Sequence, residues 1–573
     1  MYLRTTPRKN KDGSVVRYVQ LAHNTWDPVA KRSRTEVLYN FGRADDSSRA
    51  ALERLAGSLS RFLSLEPDPQ ARLFAATGEG FKYLGSRPLG GTYVLDGLWR
   101  RLGIEASLRR LLEGKRRESS AERVLFALVA SRALAPSSKL AAARWTCEDV
   151  HIAGLPEVTD DACYRAMDWL LEVQEELERE VYQQVANLLN HEVDLLFFDT
   201  TSTYFELDEA DAPVARDERG EVLAGEVARE VAREAGFRSY GRSKDHRDDL
   251  PQVVVGMAVT REGIPVRVWS WPGSTSDSAL IRQVKEDLRG WTLSRLVWVA
   301  DRGFASSENR RFLRRGDEHY ILGEKLRSGS AEAKAALARA GRYQEVAGNL
   351  RVKEVRIAEG ERFVICHNPQ GALRDAAVRE RLLARLGEMI EGSDTLSPVK
   401  RAELRGVIST KPGLARFLRV TPGGLLRLDA EAVASEEKLD GKYLLRSSDP
   451  TLSAADIALG YKQLLEVERG WRDMKQVLEL RPVYHRREAR IRAHVVLCWL
   501  ALLLVRLIET SCEGSWPALR HELEKLRLGS FQGAAGSFRQ RSEITAAQRA
   551  ILAQLQMSAP PLLHELTPAA AAS

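Results

Sequence analysis

Two short apolar runs, each followed by an aspartate, constrain this chain more than any other feature. Val193-Asp194-Leu195-Leu196-Phe197-Phe198 leads into Asp199, and Leu296-Val297-Trp298-Val299-Ala300 leads into Asp301. Runs of this length and composition belong to strands buried on both faces, the kind found in sheets covered by helices. A carboxylate at the mouth of such a strand is costly unless it is hydrogen-bonded or ligates a cation. The expected class is therefore α/β, with Asp199 ending the first buried strand and Asp301 the fourth. Each acid also has a plainer reading. Asp199 before Thr200-Thr201-Ser202 fits a cap or turn, and Asp301-Arg302-Gly303 fits a turn with a local ion pair.

The rest of the chain reads around these runs. At 573 residues it should hold about two to four domains. Residues 1–47 look like a basic β-rich segment, with strands over 15–21, after a Lys11-Asp12-Gly13-Ser14 turn, and over 35–39. Residues 48–190 turn helical at 93–102, 121–133 and 168–189, with a break at Gly85–Gly91. Residues 191–329 hold the buried strands, two more at 252–260 and 264–271 joined by Glu262-Gly263, a fifth at Tyr320-Ile321-Leu322, and a charged excursion over 207–235. Residues 330–450 read as a β-rich insertion, with strands at 352–357, 362–366 and 442–446 and a helix near 375–391. Residues 451–510 carry a helix beginning near Ser453, and 511–573 a helical C-terminal region.

Charge is informative by its distribution. The net charge is only +7, but residues 1–43 carry +6 and residues 472–506 carry +5. Two concentrated basic patches fit phosphate contacts better than a generic solvated face. The five cysteines form no CxxC pair and no Cys/His quartet, so reduced thiols in a cytoplasm are expected. The N-terminus is basic and lacks the apolar run of a signal peptide, and the apolar stretch Ala493–Val505 reads as a buried helix too short to span a bilayer.

A third carboxylate completes a constellation. Tyr461, Glu468 and Lys475 are spaced seven apart, which on one helix differ by roughly −20° each. Leu464 and Arg472 lie four residues either side of Glu468 and share that face. An aromatic hydroxyl, a carboxylate, a guanidinium and an ammonium on one stripe differ from the apolar stripe a core would select, although an exposed salt-bridged face would carry the same residues. Two strand-end aspartates and a helical glutamate could hold two divalent ions about 4 Å apart, the arrangement for in-line phosphoryl displacement.

Tyr461-x2-Leu464-x3-Glu468-x6-Lys475 resembles the Y-x2-R-x3-E-x6-K signature of bacterial insertion-sequence transposases with a DDE domain. Val467 to Lys475, Leu480 to His485, Ile491-Arg492-Ala493-His494, Gly241-Arg242-Ser243-Lys244-Asp245-His246-Arg247 and Asp249-Leu250-Pro251-Gln252 resemble one subgroup of that family. The resemblance implies a ribonuclease H-like catalytic core interrupted by the insertion, and Mg2+ (or Mn2+) held by Asp199, Asp301 and Glu468. It implies a homodimer acting on the terminal inverted repeats of the element and on target DNA. Water would attack the phosphodiester at the element end, and the freed 3′-hydroxyl would attack in turn and finally join target DNA. Tyr461 and Lys475 would contact phosphates near the cut, with Arg302, Lys244, His246, Arg481 and His485 as further candidates for DNA contact. Leu464 stands where the signature has Arg, and Arg472 is the candidate substitute. No Trp lies between Trp298 and Trp471, so stacking of a flipped base on the insertion would fall to Tyr343, Tyr443 or a Phe.

Two other readings share these residues: a site- or structure-specific DNA nuclease on the same core, and a DNA-binding relative that has lost activity. The intact triad argues against the second. A glycosidase would want paired carboxylates on a repeating βα barrel, and the chain has no such repeat.

Overall fold

The computed structural model describes residues 2–9, 15–27, 32–44, 81–113, 120–189, 195–217, 220, 222–289, 291, 296–358, 361–533 and 536–568. The chain divides into two compact units: Met1–Trp99 with Lys139–Asp160 and Ile508–Ser573, and Arg100–Ser138 with Asp161–Leu507.

In the first unit β1 (Tyr2–Lys9), β2 (Val15–Asp27) and β3 (Arg32–Arg43) form an antiparallel sheet in that order. The strands expected at 15–21 and 35–39 are parts of β2 and β3. The turn expected at Lys11–Ser14, and the stretch 45–80 where the helical pattern was expected to begin, lie outside the described residues. The break expected at Gly85–Gly91 is instead mostly a strand, β4 (Lys82–Pro88), followed by the helix Gly90–Arg101.

The second unit opens with helices. The single run expected over 168–189 is two helices, Asp160–Glu172 and Gln174–Leu189, joined at the buried Val173. Then come β5 (Leu195–Tyr204), a two-stranded pair of β6 (Val214–Ala215) and β7 (Arg233–Glu234) in the mostly exposed excursion, β8 (Gln252–Val259), β9 (Pro265–Pro272), β10 (Val297–Ala300) and β11 (His319–Glu324). They continue as β12 (Gln344–Ala347), β13 (Leu350–Ala358), β14 (Glu361–His367), the small pair β15 (Leu418–Val420) and β16 (Leu426–Leu428), and β17 (Lys442–Ser447).

Nine of these strands make one mixed sheet in the order β12-β13-β14-β17-β11-β10-β5-β8-β9. β10 runs parallel to both β5 and β11, while β8 and β9 continue antiparallel from β5. Every residue of β8 is buried, the signature of an interior strand covered on both faces. Leu196, Phe198, Trp269, Trp271 and Trp298 pack with Ile281 and Val284 of the helix Asp277–Asp287 in one core.

The insertion differs from a β-rich domain in two ways. Its strands β12–β14 and β17 extend the core sheet, with β17 between β14 and β11. Its remainder is a helical lobe, with helices Pro369–Ile390, Pro398–Ser409 and Ala430–Glu437 and a core of Leu386, Ile408, Leu414 and Phe417. Asn368, Ser397 and Asp429 cap these helices by accepting from Gly371, Lys400 and Ala432 amides, and proline opens the first two.

The helix Glu488–Cys512 is longer than the apolar run suggested. By length and composition it could cross a membrane, but 94% of its apolar window is buried inside the protein. The C-terminal region is not simply helical. Besides Trp516–Glu524 and Ala546–Gln554 it contains β18 (Arg527–Gly533), β19 (Gly536–Arg541) and β20 (Leu563–Pro568), which form the sheet β20-β19-β18-β4. The glycine- and arginine-rich β18 and β19 carry little apolar alternation, and the pairing of β18 with β4 is a contact between distant parts of the chain.

Candidate active site

Asp199 does not end its strand. β5 runs on to Tyr204, and Asp199 pairs across from Met257 of β8. What ends there is the parallel partner: Ala300, the last residue of β10, is in register with Phe198. Asp301 then follows beside Asp199. The local reading failed because a strand's length is set by its neighbour, and β8 keeps pairing after β10 has stopped.

Burial pushes the Asp199 carboxyl up to about 6, with the Lys244 ammonium and the Thr200 amide opposing and Asp301 and Asp277 adding to the rise. Lys244 Nζ lies 3.8 Å from Asp199 Oδ1 and 3.1 Å from Asp277 Oδ2. It donates to the Thr200 carbonyl at 2.6 Å and to Thr200 Oγ1 at 2.5 Å. The Lys244 amide donates to Ser202 Oγ at 2.8 Å. Thr200 and Ser202 thus tie the 241–247 segment to β5. Asp277, in the first turn of its helix, was absent from the sequence reading; it lies in no motif, and only the sheet brings it to Asp199.

Asp301 keeps its turn-forming role as well. Its Oδ1 accepts from the Gly303 amide at 2.7 Å and caps the short 3-10 turn Arg302–Phe304. Arg302 itself is exposed. Tyr461 is packed in from the other side. Burial raises its hydroxyl well above the usual tyrosine range, the Asp301 charge adding to the rise. Its ring stacks on Tyr443 of β17, centroids 6.0 Å apart. Tyr443 is therefore engaged within the protein, and Tyr343 lies beneath Lys353 and against His367.

The stripe holding Glu468 is not one straight helix. Tyr461 closes the helix Ala454–Lys462, and Glu468 lies in the first turn of the helix Leu465–Gln476. Between them the Gln463 and Leu464 amides bond back three residues, to Gly460 and Tyr461. Leu464 is buried at this joint, so a core contact replaces the phosphate contact an arginine would make there. Glu468 and Arg472 are exposed. Among the described residues no three His, Cys, Asp or Glu side chains stand close enough to share a metal ion, so Glu468 does not close on Asp199 and Asp301 in this arrangement.

Lys475 is turned inward. Its Nζ lies 3.0 and 3.2 Å from the two carboxylate oxygens of Asp245, and Arg481 Nη1 reaches Asp245 Oδ2 at 2.8 Å. The second basic patch is partly neutralised elsewhere too: Arg490 pairs with Asp168, Arg492 with Glu488 and Arg506 with Asp473. His246 is exposed in a left-handed backbone conformation, φ 58°. His485 is a correction to the expected DNA contacts: it is buried, with its ring against Tyr164 and His494. Buried at this position, the imidazole is not presented to a phosphate.

The residues fit a divalent cation in part. Burial raises the Asp199 carboxyl and the neighbouring Asp301 charge adds to the rise, so the site is short of positive charge, and Lys244 supplies only one such charge. Hard oxygen donors of this kind suit Mg2+ or Mn2+. Asp199 and Asp301 meet that description; Glu468 would join them only by moving.

Residues 3–69 match the IS1634 family transposase N-terminal domain, and residues 229–504 match the transposase DDE domain. The second match takes in Asp301, Glu468 and Lys475 and begins downstream of Asp199. No curated protein matches the chain. Among solved structures, the cryo-EM structure of the piggyBac transposase synaptic complex with hairpin DNA is similar at 9% identity and a TM-score of 0.34, over 76% of this chain and 78% of that one.

Proposed function

Because the chain belongs to the DDE transposases of insertion sequences, an enzyme that cleaves DNA and transfers strands, we propose that Asp199, Asp301 and Glu468 are its catalytic carboxylates. The observation that carries this assignment is the placement of Asp199 beside Asp301 at the point where β10 leaves β5. The order β9-β8-β5-β10-β11, antiparallel on one side of β5 and parallel on the other, supports a ribonuclease H-like core.

Asp199 and Asp301 would hold Mg2+, with Glu468 joining when the Leu465–Gln476 helix turns toward them. A metal held there would supply Lewis acidity to the phosphodiester. The chain's own groups do the rest. The Gly303 amide orients the Asp301 carboxylate through the bond to Oδ1. Lys244 offsets part of the negative charge while the site is empty of DNA. Arg302, Arg472 and, after leaving Asp245, Lys475 and Arg481 offer cations to the DNA backbone, and His246 offers a ring N–H. Tyr461 lines the pocket beside Asp301. The product of the first attack, a 3′-hydroxyl, would be presented to the same carboxylates for strand transfer. Two ends cut in one event call for two copies of the site, so the active assembly would be a homodimer on the element's inverted repeats. With such DNA as substrate and free thiols on the chain, the enzyme would act in the cytoplasm, on the nucleoid.

The test is Mg2+-dependent nicking of a duplex of the terminal repeat flanking this chain's own coding sequence, wild type against Asp301→Asn. Cleavage at the repeat boundary by wild type alone is expected. Equal cleavage by both would mean that the active site lies elsewhere, and nicking without strand transfer from a pre-cut end would favour a nuclease.

A further inference from the structure

We propose that Lys475 and Arg481 form a paired receptor for one DNA backbone phosphate, and that the Asp245 carboxylate is a placeholder that occupies the phosphate's place between them until DNA arrives. The proposal rests on the transposase reading above and goes beyond it in assigning a role to a residue outside the triad and the signature.

The geometry is that of a filled oxyanion site. Both carboxylate oxygens of Asp245 face Lys475 Nζ, at 3.0 and 3.2 Å, and Oδ2 also accepts from Arg481 Nη1 at 2.8 Å. The three side chains are 16%, 12% and 26% exposed, so the cluster is shielded yet open on the Arg481 side. A carboxylate and a phosphodiester each present two oxygens sharing one negative charge, and ammonium and guanidinium groups accept either. Two cations face one anion here, which leaves a positive excess.

Each partner is anchored independently of the others. Arg481 lies over the ring of Tyr204, the last residue of β5, at 4.8 Å, and Arg247 lies over the same ring at 5.2 Å. Lys475 is carried by the Leu465–Gln476 helix. The backbone around Asp245 is pinned by the Lys244 amide on Ser202 and by the Ser243 amide on Asp248, at 2.6 Å. The cations would therefore keep their places if the carboxylate were removed, and a phosphate could replace it without refolding the site. In the free enzyme the pair is preorganised. On binding, the cost is the exchange of Asp245 for phosphate.

The prediction has an unusual sign. Removing an acid that merely braces the fold would weaken DNA binding; removing a placeholder would strengthen it. Asp245→Ala and the isosteric Asp245→Asn should each bind the terminal-repeat duplex about 3- to 10-fold tighter. Because one more net positive charge faces the backbone, the slope of log K against log salt should steepen by about 1. The gain should fall below about twofold when Lys475→Ala and Arg481→Ala are already present, as a double-mutant cycle requires of coupled residues. Asp249→Ala, which removes the same charge from an exposed pair with Arg247, separates this from general electrostatics and should change affinity less than about twofold.

Fluorescence anisotropy across a salt series makes these measurements, with thermal unfolding as the check on fold. Weaker or unchanged binding by both Asp245 variants, or an equal gain from Asp249→Ala, would overturn the proposal. A wild type that binds the duplex but never nicks it would overturn the transposase reading, while the Asp245 comparison, read from binding alone, would still stand or fall on its own result.

Discussion

The hydroxyl of Tyr461 occupies the space that a side chain at position 323 would need: a Cβ built on Gly323 would come within 2.5 Å of it and 3.1 Å of the Arg302 amide nitrogen. Gly323 lies on β11, one residue beyond the last parallel pair with β10, Leu322 with Ala300. The absence of a side chain there lets Tyr461 reach the flank of Asp301.

Gly323→Ala should therefore push Tyr461 away from the site. Overpacking of this kind costs about 1–3 kcal/mol. We expect a fall in melting temperature together with at least a tenfold loss of nicking. Gly323→Ala combined with Tyr461→Phe should recover part of the stability, because the closest contact is the hydroxyl. No recovery in thermal melts would mean that backbone, not the Tyr461 hydroxyl, sets the clash.

Asp199→Asn tests the electrostatics of the pocket. The wild-type carboxyl has a folded value of about 6 against an ordinary value of 3.8, so the folded state binds the extra proton in that window. Stability from this group is then greatest below the ordinary value and is lost as pH rises through about 6. At pH 7.5, without divalent metal, the asparagine variant should be more stable than wild type by about 1–3 kcal/mol, and the difference should vanish near pH 4. Adding Mn2+ should raise the melting temperature of wild type and leave the variant unmoved. A metal-induced rise of equal size in both would remove Asp199 from the ligand set.

His151, in the unit that contains the C-terminal sheet, should give the opposite pH sign. Burial lowers its imidazole to about 4, and the Arg539 guanidinium, 3.5 Å away, adds to the effect. A folded value below the ordinary 6.5 means that stability is full above that pH and is lost as pH falls toward 4. The loss should be on the order of 2–3 kcal/mol. His151→Phe should flatten the pH dependence of melting between those values; an unchanged slope would place the acid sensitivity elsewhere.

Glu488 anchors the exposed excursion to the core. The nearly buried Arg216 side chain places Nη1 and Nη2 on its two oxygens at 2.9 and 2.8 Å, and Arg492 shares one of them at 2.8 Å. Glu488→Ala removes the carboxylate that both guanidinium nitrogens bind, a loss of about 3–5 kcal/mol in comparable pairs. Limited proteolysis within 206–238 should accelerate at temperatures where wild type resists; equal digestion rates would show that the excursion is held by other contacts.

How much of this was legible in the sequence depends on the range over which each feature is decided. The apolar runs before Asp199 and Asp301, the hairpin strands β8 and β9, and parts of β2 and β3 are written in local composition, because buried strands demand apolar side chains and a tight turn demands its glycine; β1 was not. The motif around Glu468 was readable as spacing. Its geometry was not, because the joint at Gln463–Leu464 depends on where Leu464 is buried.

What only the tertiary structure decided are the relations between distant segments. β17 enters between β14 and β11, and β4 pairs with β18, through backbone hydrogen bonds that carry no side-chain code. Asp199 became a mid-strand residue because β8 outlasts β10 as its neighbour. Lys475 met Asp245, and Asp277 came to Lys244, because the sheet and the Glu468 helix bring separate loops to one place. By itself, then, the sequence determined which residues carry charge, hydroxyl or apolar surface, and which short segments must be strand or helix. Partner choice and register depend on the summed packing of segments hundreds of residues apart, and no local pattern encodes that sum.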